Sequence, residues 1–351
     1  MLQADATADR PNLDLLRSVA VSYVLVFHLL LFFGCVDVSA GGVRAALHNL
    51  GLFGVFIFFV HTSLVLLLSL GRMRARGGPL FGEFMIRRVF RIYPASIVMV
   101  LLVTVFRMPV ADFLGGHFVN GTFTAGNIFA NLALVQNIPG LSPLLAPLWS
   151  LPFEMQMYLL LPPLFIGVRK LRSTWSAVAL WFCAAAFAFF WHRFDKKEYC
   201  NIFIWMPDFL AGVLCYRLIG TRARLPWWLF PFALAAVTIP YLARPALPVS
   251  WLCCFALAVL LPLFKELPEG RLHELLKVIA RYSYGIYLTH FAAIWFAFVY
   301  LARLSLALQW LVFIATTGLG SALLYHLVEA PFIGAGSRVA SRRRASEAIA
   351  A

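Results

Sequence analysis

Long apolar stretches, separated by short polar ones, recur along the whole chain. Each is close to the roughly 17–25 residues that a helix needs to cross a bilayer. The predicted helices cover residues 13–34, 50–70, 92–106, 148–168, 174–192, 201–219, 227–243, 249–265, 282–302 and 308–330. The pattern therefore predicts an all-α integral membrane protein with about ten transmembrane helices.

The polar segments between these helices alternate in basic content. If the N-terminus lies inside, the segments on the inner side carry twenty-one of the 29 Lys and Arg residues. The outer segments carry seven, and Arg17 lies within the first helix. Because Lys and Arg accumulate on the cytoplasmic side, we expect both termini in the cytoplasm.

Composition agrees with a membrane protein. The chain is 62% hydrophobic and only 13% charged, which is too few charged residues for the surface of a soluble domain of this size. Its net charge of +14 requires no nucleic acid partner, because the excess faces the anionic lipid of the inner leaflet. The six cysteines show no CxxC or His-paired spacing, so no metal is expected. Nothing in the sequence predicts an oligomeric state.

The domain organisation is simple. We expect one transmembrane domain over residues 1–335, a short basic cytoplasmic tail over 336–351 and no soluble domain. The longest outer connection contains an apolar stretch at 127–138 that is too short to span a bilayer. This stretch is expected to lie in the interface or to re-enter the membrane.

The first predicted helix carries two ionisable residues, Arg17 and His28. They are eleven positions apart, so they lie on nearly the same face, separated by roughly 16 Å along the axis. An ionisable side chain as deep as His28 normally faces a polar cavity or a partner. The alternative is that Arg17 extends to the inner headgroups and His28 makes a structural hydrogen bond.

The stretch LWSLPFEMQMYLLLP, residues 148–162, carries Ser150, Glu154 and Tyr158 at four-residue intervals, hence along one helix face. Glu154 lies about 9 Å below the outer surface, close to the depth of His28. The two could form a general base oriented by an acid, with Ser150 or Tyr158 as an oxyanion donor. The alternative is a buried pair that only locks two helices together.

The stretch RRVFRIYP, residues 87–94, brings Arg87, Arg88 and Arg91 onto one arc at the inner surface. Guanidinium groups bind phosphates in bidentate fashion, so this arc suits the diphosphate of coenzyme A. Anchoring of a cytoplasmic loop by positive charge is the alternative.

Two further polar residues fall inside predicted helices. Asp208, about 10 Å deep from the outer side, could contact acceptor hydroxyls or make a helix-packing hydrogen bond. His290, roughly 12 Å from the inner end of its helix, could line a donor channel or satisfy a neighbour.

The stretch LDLLRSVAVSYVLVFH, residues 13–28, resembles the Arg-x10-His signature of membrane-bound acyltransferase family 3, which includes bacterial O-antigen and exopolysaccharide O-acetyltransferases. The resemblance continues in order through essentially the whole chain. Its further motifs are GVFIFFVHTSL (54–64), RRVFRIYP (87–94), LWSLPFEMQMYLLLP (148–162), MPDFLAG (206–212), YSYGIYLTH (282–290) and VEAPF (328–332).

The resemblance implies that His28 and Glu154 contribute to acyl transfer, and that Arg17, Arg87, Arg88 and Arg91 serve the acyl-CoA donor. It implies an acetyl group or another acyl group, no metal, and a carbohydrate acceptor that includes polyprenyl-linked sugars. It also implies a location in the bacterial inner membrane.

One departure concerns Phe56, which stands where the family often has an acid. No esterase-like domain is expected after the last helix, so the acceptor would be acylated within the membrane domain or by way of a separate protein.

Two other functions stay open. An acyltransferase that modifies a lipid or a small natural product is hardly distinguished by sequence from one that modifies a polysaccharide. A transporter or flippase of lipid-linked sugars would also need intramembrane charges, but it would usually show inverted repeats, and we find none in the sequence.

Overall fold

A computed structural model describes residues 10–36, 41–77, 80–111, 118–119, 123–171, 173–194, 202–220 and 224–350. The described chain is almost entirely helical. Its α-helices are α1 Pro11–Phe32, α2 Gly42–His48, α3 Leu50–Ala75, α4 Leu80–Val105, α5 Ala125–Leu132, α6 Leu151–Lys170, α7 Thr174–Phe194, α8 Ile202–Leu218, α9 Phe230–Ala243, α10 Leu247–Leu260, α11 Arg271–Ile294, α12 Leu306–Leu323 and α13 Ala330–Ala350. One small antiparallel pair joins β1 Val110–Ala111 to β2 Phe118–Val119.

The predicted apolar segments each coincide with a helix, so the helical, multi-pass character of the protein is confirmed. In the described residues, 6 helical stretches are long and apolar enough to cross a membrane: Pro11–Phe32, Gly42–Ala75, Leu80–Val105, Ala146–Lys170, Thr174–Phe194 and Leu306–Arg344. The apolar stretches Trp227–Ala243 and Leu247–Leu263 are shorter. The number of ten spans and the cytoplasmic placement of both termini stay predictions.

Several helices extend past the apolar segments that predicted them. Helix α4 begins at Leu80 and α11 at Arg271, about three turns before the predicted starts at 92 and 282. Residues 336–350, expected as a tail, belong to α13. Hydropathy marks only the apolar part of a helix, whereas Arg, Glu and Leu continue the helix readily into polar surroundings.

The short apolar stretch at 127–138 contains the end of α5 and a series of turns. Thr124 caps α5, since its side chain accepts a hydrogen bond from the Asn127 backbone N–H. Phe129 on this helix is 73% exposed and Ile138 is 64% exposed. Exposed apolar side chains on a segment too short to span fit the predicted interfacial location.

The chain forms two compact units. Unit 1 comprises residues 1–27, 36–77 and 156–280, and unit 2 comprises residues 28–35, 78–155 and 281–351. In unit 1, α8 packs against α3, α7 and α10. Helices α8 and α3 approach closely at Gly212, where an added Cβ would lie 2.7 Å from the Ser63 Cβ. Small residues at such crossings are typical of membrane helices.

In unit 2, α13 lies along α4. The Arg87 side chain of α4 donates to the Ser337 hydroxyl over 3.2 Å, and an added Cβ at Gly336 would overlap the Phe90 ring. Gly285 of α11 lies against α12, where an added Cβ would be 2.9 Å from the Ser321 carbonyl oxygen. These contacts hold α4 against α13 and α11 against α12.

Candidate active site

His28 lies on the last turns of α1 in unit 2. Its Nδ1 lies 3.1 Å from Nε2 of His290 on α11, and the two ring centroids are 4.9 Å apart. The edge of the Phe291 ring packs on His28 at a centroid distance of 5.6 Å. The two histidines that the sequence analysis treated separately are therefore hydrogen-bonded to each other.

His290 is held on its other side by its own helix. Its Nδ1 lies 2.9 Å from the backbone carbonyl oxygen of Ile286, one turn earlier, and the residue is 1% exposed. Both ring nitrogens of His290 are thus engaged within the protein. Directly after α11, residues 295–300 form a π-helical turn, a feature that is frequent at functional sites.

A second hydrogen bond joins the loop before α6 to the same face of α11. The hydroxyl groups of Ser150 and Tyr287 are 2.8 Å apart, and both residues are buried. Tyr287 precedes His290 by three positions, so the two side chains are neighbours on the helix surface, with ring centroids 6.3 Å apart. The sequence analysis missed Tyr287, although YSYGIYLTH displays its spacing to His290.

Glu154 lies in the first turn of α6, where its backbone N–H bonds to the Ser150 carbonyl oxygen over 3.2 Å. A carboxylate is favoured there by the helix dipole. Its charge acts on the Tyr284 and Tyr287 hydroxyl groups, so Glu154 belongs to the same neighbourhood as Ser150. A direct pairing of Glu154 with His28 stays a prediction. We refer to His28, Ser150, Glu154, Tyr287 and His290 as the histidine cluster.

Buried amides hold the loop that leads into Ser150. The Asn131 side-chain NH2 donates to the Ser142 carbonyl oxygen over 3.2 Å, and its Oδ1 accepts from the Leu144 backbone N–H over 2.9 Å. Gln136 donates to the Leu148 carbonyl oxygen over 2.9 Å. These bonds satisfy backbone groups of an irregular buried segment, which would otherwise be costly, and so place Ser150. Neither amide was predicted.

The three arginines of RRVFRIYP have different surroundings. Arg87 donates from Nε and Nη2 to the same Glu83 oxygen over 3.1 and 2.9 Å, and from Nη1 to Ser337. The Arg88 guanidinium lies 5.8 Å from the Phe84 ring centroid, and Arg91 acts electrostatically on Tyr284. Neither Glu83 nor Ser337 was predicted as a partner. Glu83 lies four residues before Arg87 on α4, a spacing that the sequence displays, whereas Ser337 is recognisable only once α13 lies on α4.

The remaining predicted residues lie in unit 1. Arg17 is half-buried, and Tyr158 and Asp208 are buried at 2% and 0% exposure. The Asp208 carboxyl on α8 faces the side chains of Ser250 and Cys254 on α10. The structure neither confirms nor contradicts the roles expected for these three residues.

Three further buried or hydrogen-bonded polar residues lie outside the histidine cluster. His61 is 6% exposed on α3, and His326 Nε2 lies 3.0 Å from the Tyr282 hydroxyl. Glu329 is fully buried in a second π-helical turn over 324–329 and acts electrostatically on Tyr284. Over the described part of the chain, His, Cys, Asp and Glu form no group of three or more that could hold a metal ion.

The histidine cluster combines groups that acyl transfer to a hydroxyl requires: imidazoles, hydroxyl groups and a nearby carboxylate. A family model described as an acyltransferase domain matches residues 10–326. The chain is 28% identical to the membrane-bound transacylase BcsY of Komagataeibacter xylinus over 81% of this chain and 73% of that protein.

Two further relatives are named for peptidoglycan. The chain is 26% identical to the peptidoglycan O-acetyltransferase OatA of Listeria monocytogenes over 81% of this chain and 49% of that protein. It is 30% identical to YrhL of Bacillus subtilis, also named as a peptidoglycan O-acetyltransferase, over 46% of this chain and 25% of that protein. The chain thus spans only half or less of these two relatives. No solved structure matches it.

Proposed function

From the premise that this chain belongs to acyltransferase family 3, we propose that it moves an acyl group, acetyl in the first instance, from cytoplasmic acyl-CoA to a carbohydrate hydroxyl. The family and the named relatives establish an O-acyltransferase enzyme in a membrane. The acetyl group, the cytoplasmic donor and the bacterial inner membrane are parts of the proposal. The observation that carries the proposal is the hydrogen bond between His28 and His290, next to the Ser150–Tyr287 pair.

His28 acts as the general base in this proposal. Its imidazole removes the proton from the acceptor hydroxyl while the oxygen attacks the thioester carbonyl carbon. The tetrahedral intermediate then collapses, the carbon–sulfur bond breaks, and the imidazolium returns the proton to the departing CoA sulfur. The products are the O-acyl ester and free CoA thiol, so atoms and charges balance.

The hydroxyl pair and the carboxylate of the histidine cluster stabilise the charges that develop during acyl transfer. The Ser150 and Tyr287 hydroxyls lie 2.8 Å apart, and in this proposal the pair supplies the O–H donor to the developing oxyanion. Glu154 supplies negative charge that favours the imidazolium. This arrangement keeps Glu154 in the role expected from the sequence, with Tyr287 added as a donor.

The proposal gives the three arginines of RRVFRIYP different roles. Arg87 is occupied by Glu83 and Ser337, so it holds α4 against α13. Arg88 and Arg91 are assigned to the CoA diphosphate in this proposal, because guanidinium groups bind phosphates in bidentate fashion. The donor role of Arg17 rests on the family resemblance alone.

The acceptor in this proposal is a cell-surface or lipid-linked carbohydrate, since two relatives are named for a peptidoglycan substrate. Tyr158 and Asp208 stay as predicted acceptor contacts. Acylation of a lipid or a small natural product is an outcome that the experiment below distinguishes.

The test is proton NMR of O-acetyl signals in surface glycan and in extracted lipid-linked sugars. It compares cells lacking the protein, cells carrying it, and cells with His28→Ala or with the matched control His326→Ala, a histidine elsewhere in unit 2. We expect the signals to require the protein, to vanish in His28→Ala and to persist in His326→Ala. Identical spectra from all strains would contradict a carbohydrate acceptor, and normal acetylation by His28→Ala would contradict the role of His28.

A further inference from the structure

Pro94 interrupts the helix that carries the arginines. It lies inside α4, three residues after Arg91 and six after Arg88. Proline has no backbone N–H, so the helical hydrogen bond from position 94 to the Phe90 carbonyl oxygen is missing, and the ring also crowds that carbonyl. We refer to residues 92–96 as the Pro94 turn. This turn is a weak point of α4, between the arginines and the apolar part of the helix.

Side-chain hydrogen bonds reinforce this turn. The Tyr284 hydroxyl of α11 donates to the Ile92 carbonyl oxygen over 2.9 Å. The Ser96 hydroxyl donates to the Tyr93 carbonyl oxygen over 3.1 Å, and the Tyr93 hydroxyl donates to the Ala133 carbonyl oxygen over 2.8 Å. The turn is therefore held by its neighbours as well as by the regular bonds of its own helix.

Of these three bonds, the one from Tyr284 joins the turn to α11. Tyr287 follows Tyr284 by three positions, so the two side chains are neighbours on one face of that helix. The Tyr287 hydroxyl lies 2.8 Å from the Ser150 hydroxyl, and Arg91 acts electrostatically on Tyr284. One face of α11 thus binds both the helix of the arginines and the histidine cluster, about one turn apart.

We infer that Tyr284 is a positioning residue, whose hydrogen bond to α4 fixes the Pro94 turn and thereby the place of Arg88 and Arg91. It acts through α4 and needs no contact with either substrate. The restraint on α4 stands by itself. Its effect on donor binding rests on the proposed function, in which Arg88 and Arg91 bind the CoA diphosphate.

Kinetics of two tyrosine variants test this role. Tyr284→Phe removes the hydroxyl and keeps the ring, and Tyr282→Phe is the matched control, because its hydroxyl lies 3.0 Å from His326 Nε2 instead. We expect Tyr284→Phe to raise KM for acetyl-CoA by about two- to tenfold, the equivalent of one hydrogen bond, with kcat within about twofold. Tyr282→Phe should leave both constants within about twofold. A merely structural loss would lower the amount of active enzyme without changing KM.

A substitution at Pro94 tests whether the effect runs through the Pro94 turn. Pro94→Ala supplies the missing N–H to the Phe90 carbonyl oxygen, so the restored helix depends less on Tyr284. Added to Pro94→Ala, Tyr284→Phe should change KM by less than about twofold. An equal effect of Tyr284→Phe in both backgrounds would contradict an action through this turn.

Hydrogen exchange gives a readout that needs no substrate. It is measured by mass spectrometry on the full-length protein in lipid nanodiscs. Peptides that cover residues 84–97 should exchange about two- to tenfold faster in Tyr284→Phe than in the wild type, because opening of the turn then breaks one hydrogen bond fewer. The same peptides should exchange at the wild-type rate in Tyr282→Phe.

Wild-type exchange of this segment in a folded Tyr284→Phe protein would overturn the inference. Faster exchange with an unchanged KM would support the restraint on α4 and would contradict the assignment of Arg88 and Arg91 to the donor. The exchange data therefore separate a failure of the inference from a failure of the proposed function.

Discussion

The two units treat buried polar side chains differently. In unit 1, aromatic rings pack closely, as in the stacked Phe59–Phe209 pair at a centroid distance of 4.1 Å, and the fully buried Asp208 faces Ser250 and Cys254. In unit 2, hydrogen bonds join imidazole to imidazole and hydroxyl to hydroxyl, in the His28–His290 and Ser150–Tyr287 pairs. The difference indicates that unit 1 is held mainly by close apolar packing, whereas unit 2 uses polar pairs suited to chemistry.

The sharpest way to test this comparison is to remove one buried tyrosine hydroxyl from each unit. We expect Tyr287→Phe to lower kcat by about 10²–10³-fold, because the Ser150–Tyr287 pair would lose a donor to the oxyanion. Tyr241→Phe in unit 1, where the ring stacks on Phe53, should change kcat less than about twofold. The measurement is CoA release from acetyl-CoA in membranes with equal amounts of folded protein. An equal loss of kcat in Tyr287→Phe and Tyr241→Phe would contradict the placement of the catalytic hydroxyl in unit 2.

The next test concerns close packing in unit 1. Gly212→Ala places a methyl group against α3, 2.7 Å from Ser63 Cβ and in overlap with the Val60 carbonyl oxygen, so we expect about 1–3 kcal/mol of destabilisation. Gly167→Ala on α6 is the matched control, since an added Cβ there meets nothing within 4 Å. Thermal unfolding of the detergent-solubilised protein measures both. A Gly212→Ala protein as stable as Gly167→Ala would show that unit 1 tolerates expansion at this crossing.

The smallest expected effects distinguish Arg87 from Arg88 in unit 2. Arg87→Gln should destabilise the protein by about 1–2 kcal/mol, because Glu83, 4% exposed, loses a charged hydrogen-bond partner. Its KM for acetyl-CoA should change little. Arg88→Gln should instead raise that KM severalfold with little change in stability. Titration of acetyl-CoA gives the KM of each variant, and thermal unfolding gives its stability. A raised KM in Arg87→Gln with an unchanged KM in Arg88→Gln would show that Arg87, not Arg88, binds the donor.

Much of the fold was predictable because hydropathy is a local property. The apolar segments coincide with helices, and the motifs that carry His28, Glu154 and His290 were recognised individually. The starts of α4 and α11 and the whole of α13 were less accessible, since the charged residues there continue a helix without marking it by hydropathy.

The partners within the site were less predictable than its members. Spacing along one helix gives depth and face, but not which face of another helix it meets. His28 was therefore compared only with Glu154, at similar depth, and its hydrogen bond to His290 was missed. Likewise, Arg87 was counted with Arg88 and Arg91 because the three share an arc of α4, yet it also binds Ser337 of α13. Its other partner, Glu83, lies one turn earlier on α4 and was overlooked in the sequence.

The sequence by itself determined the helical segments, the membrane character and the family, because each follows from residue types in local order. The tertiary structure decided which side chains meet. The His28–His290 bond joins positions 262 residues apart, and only helix packing brings them within 3.1 Å.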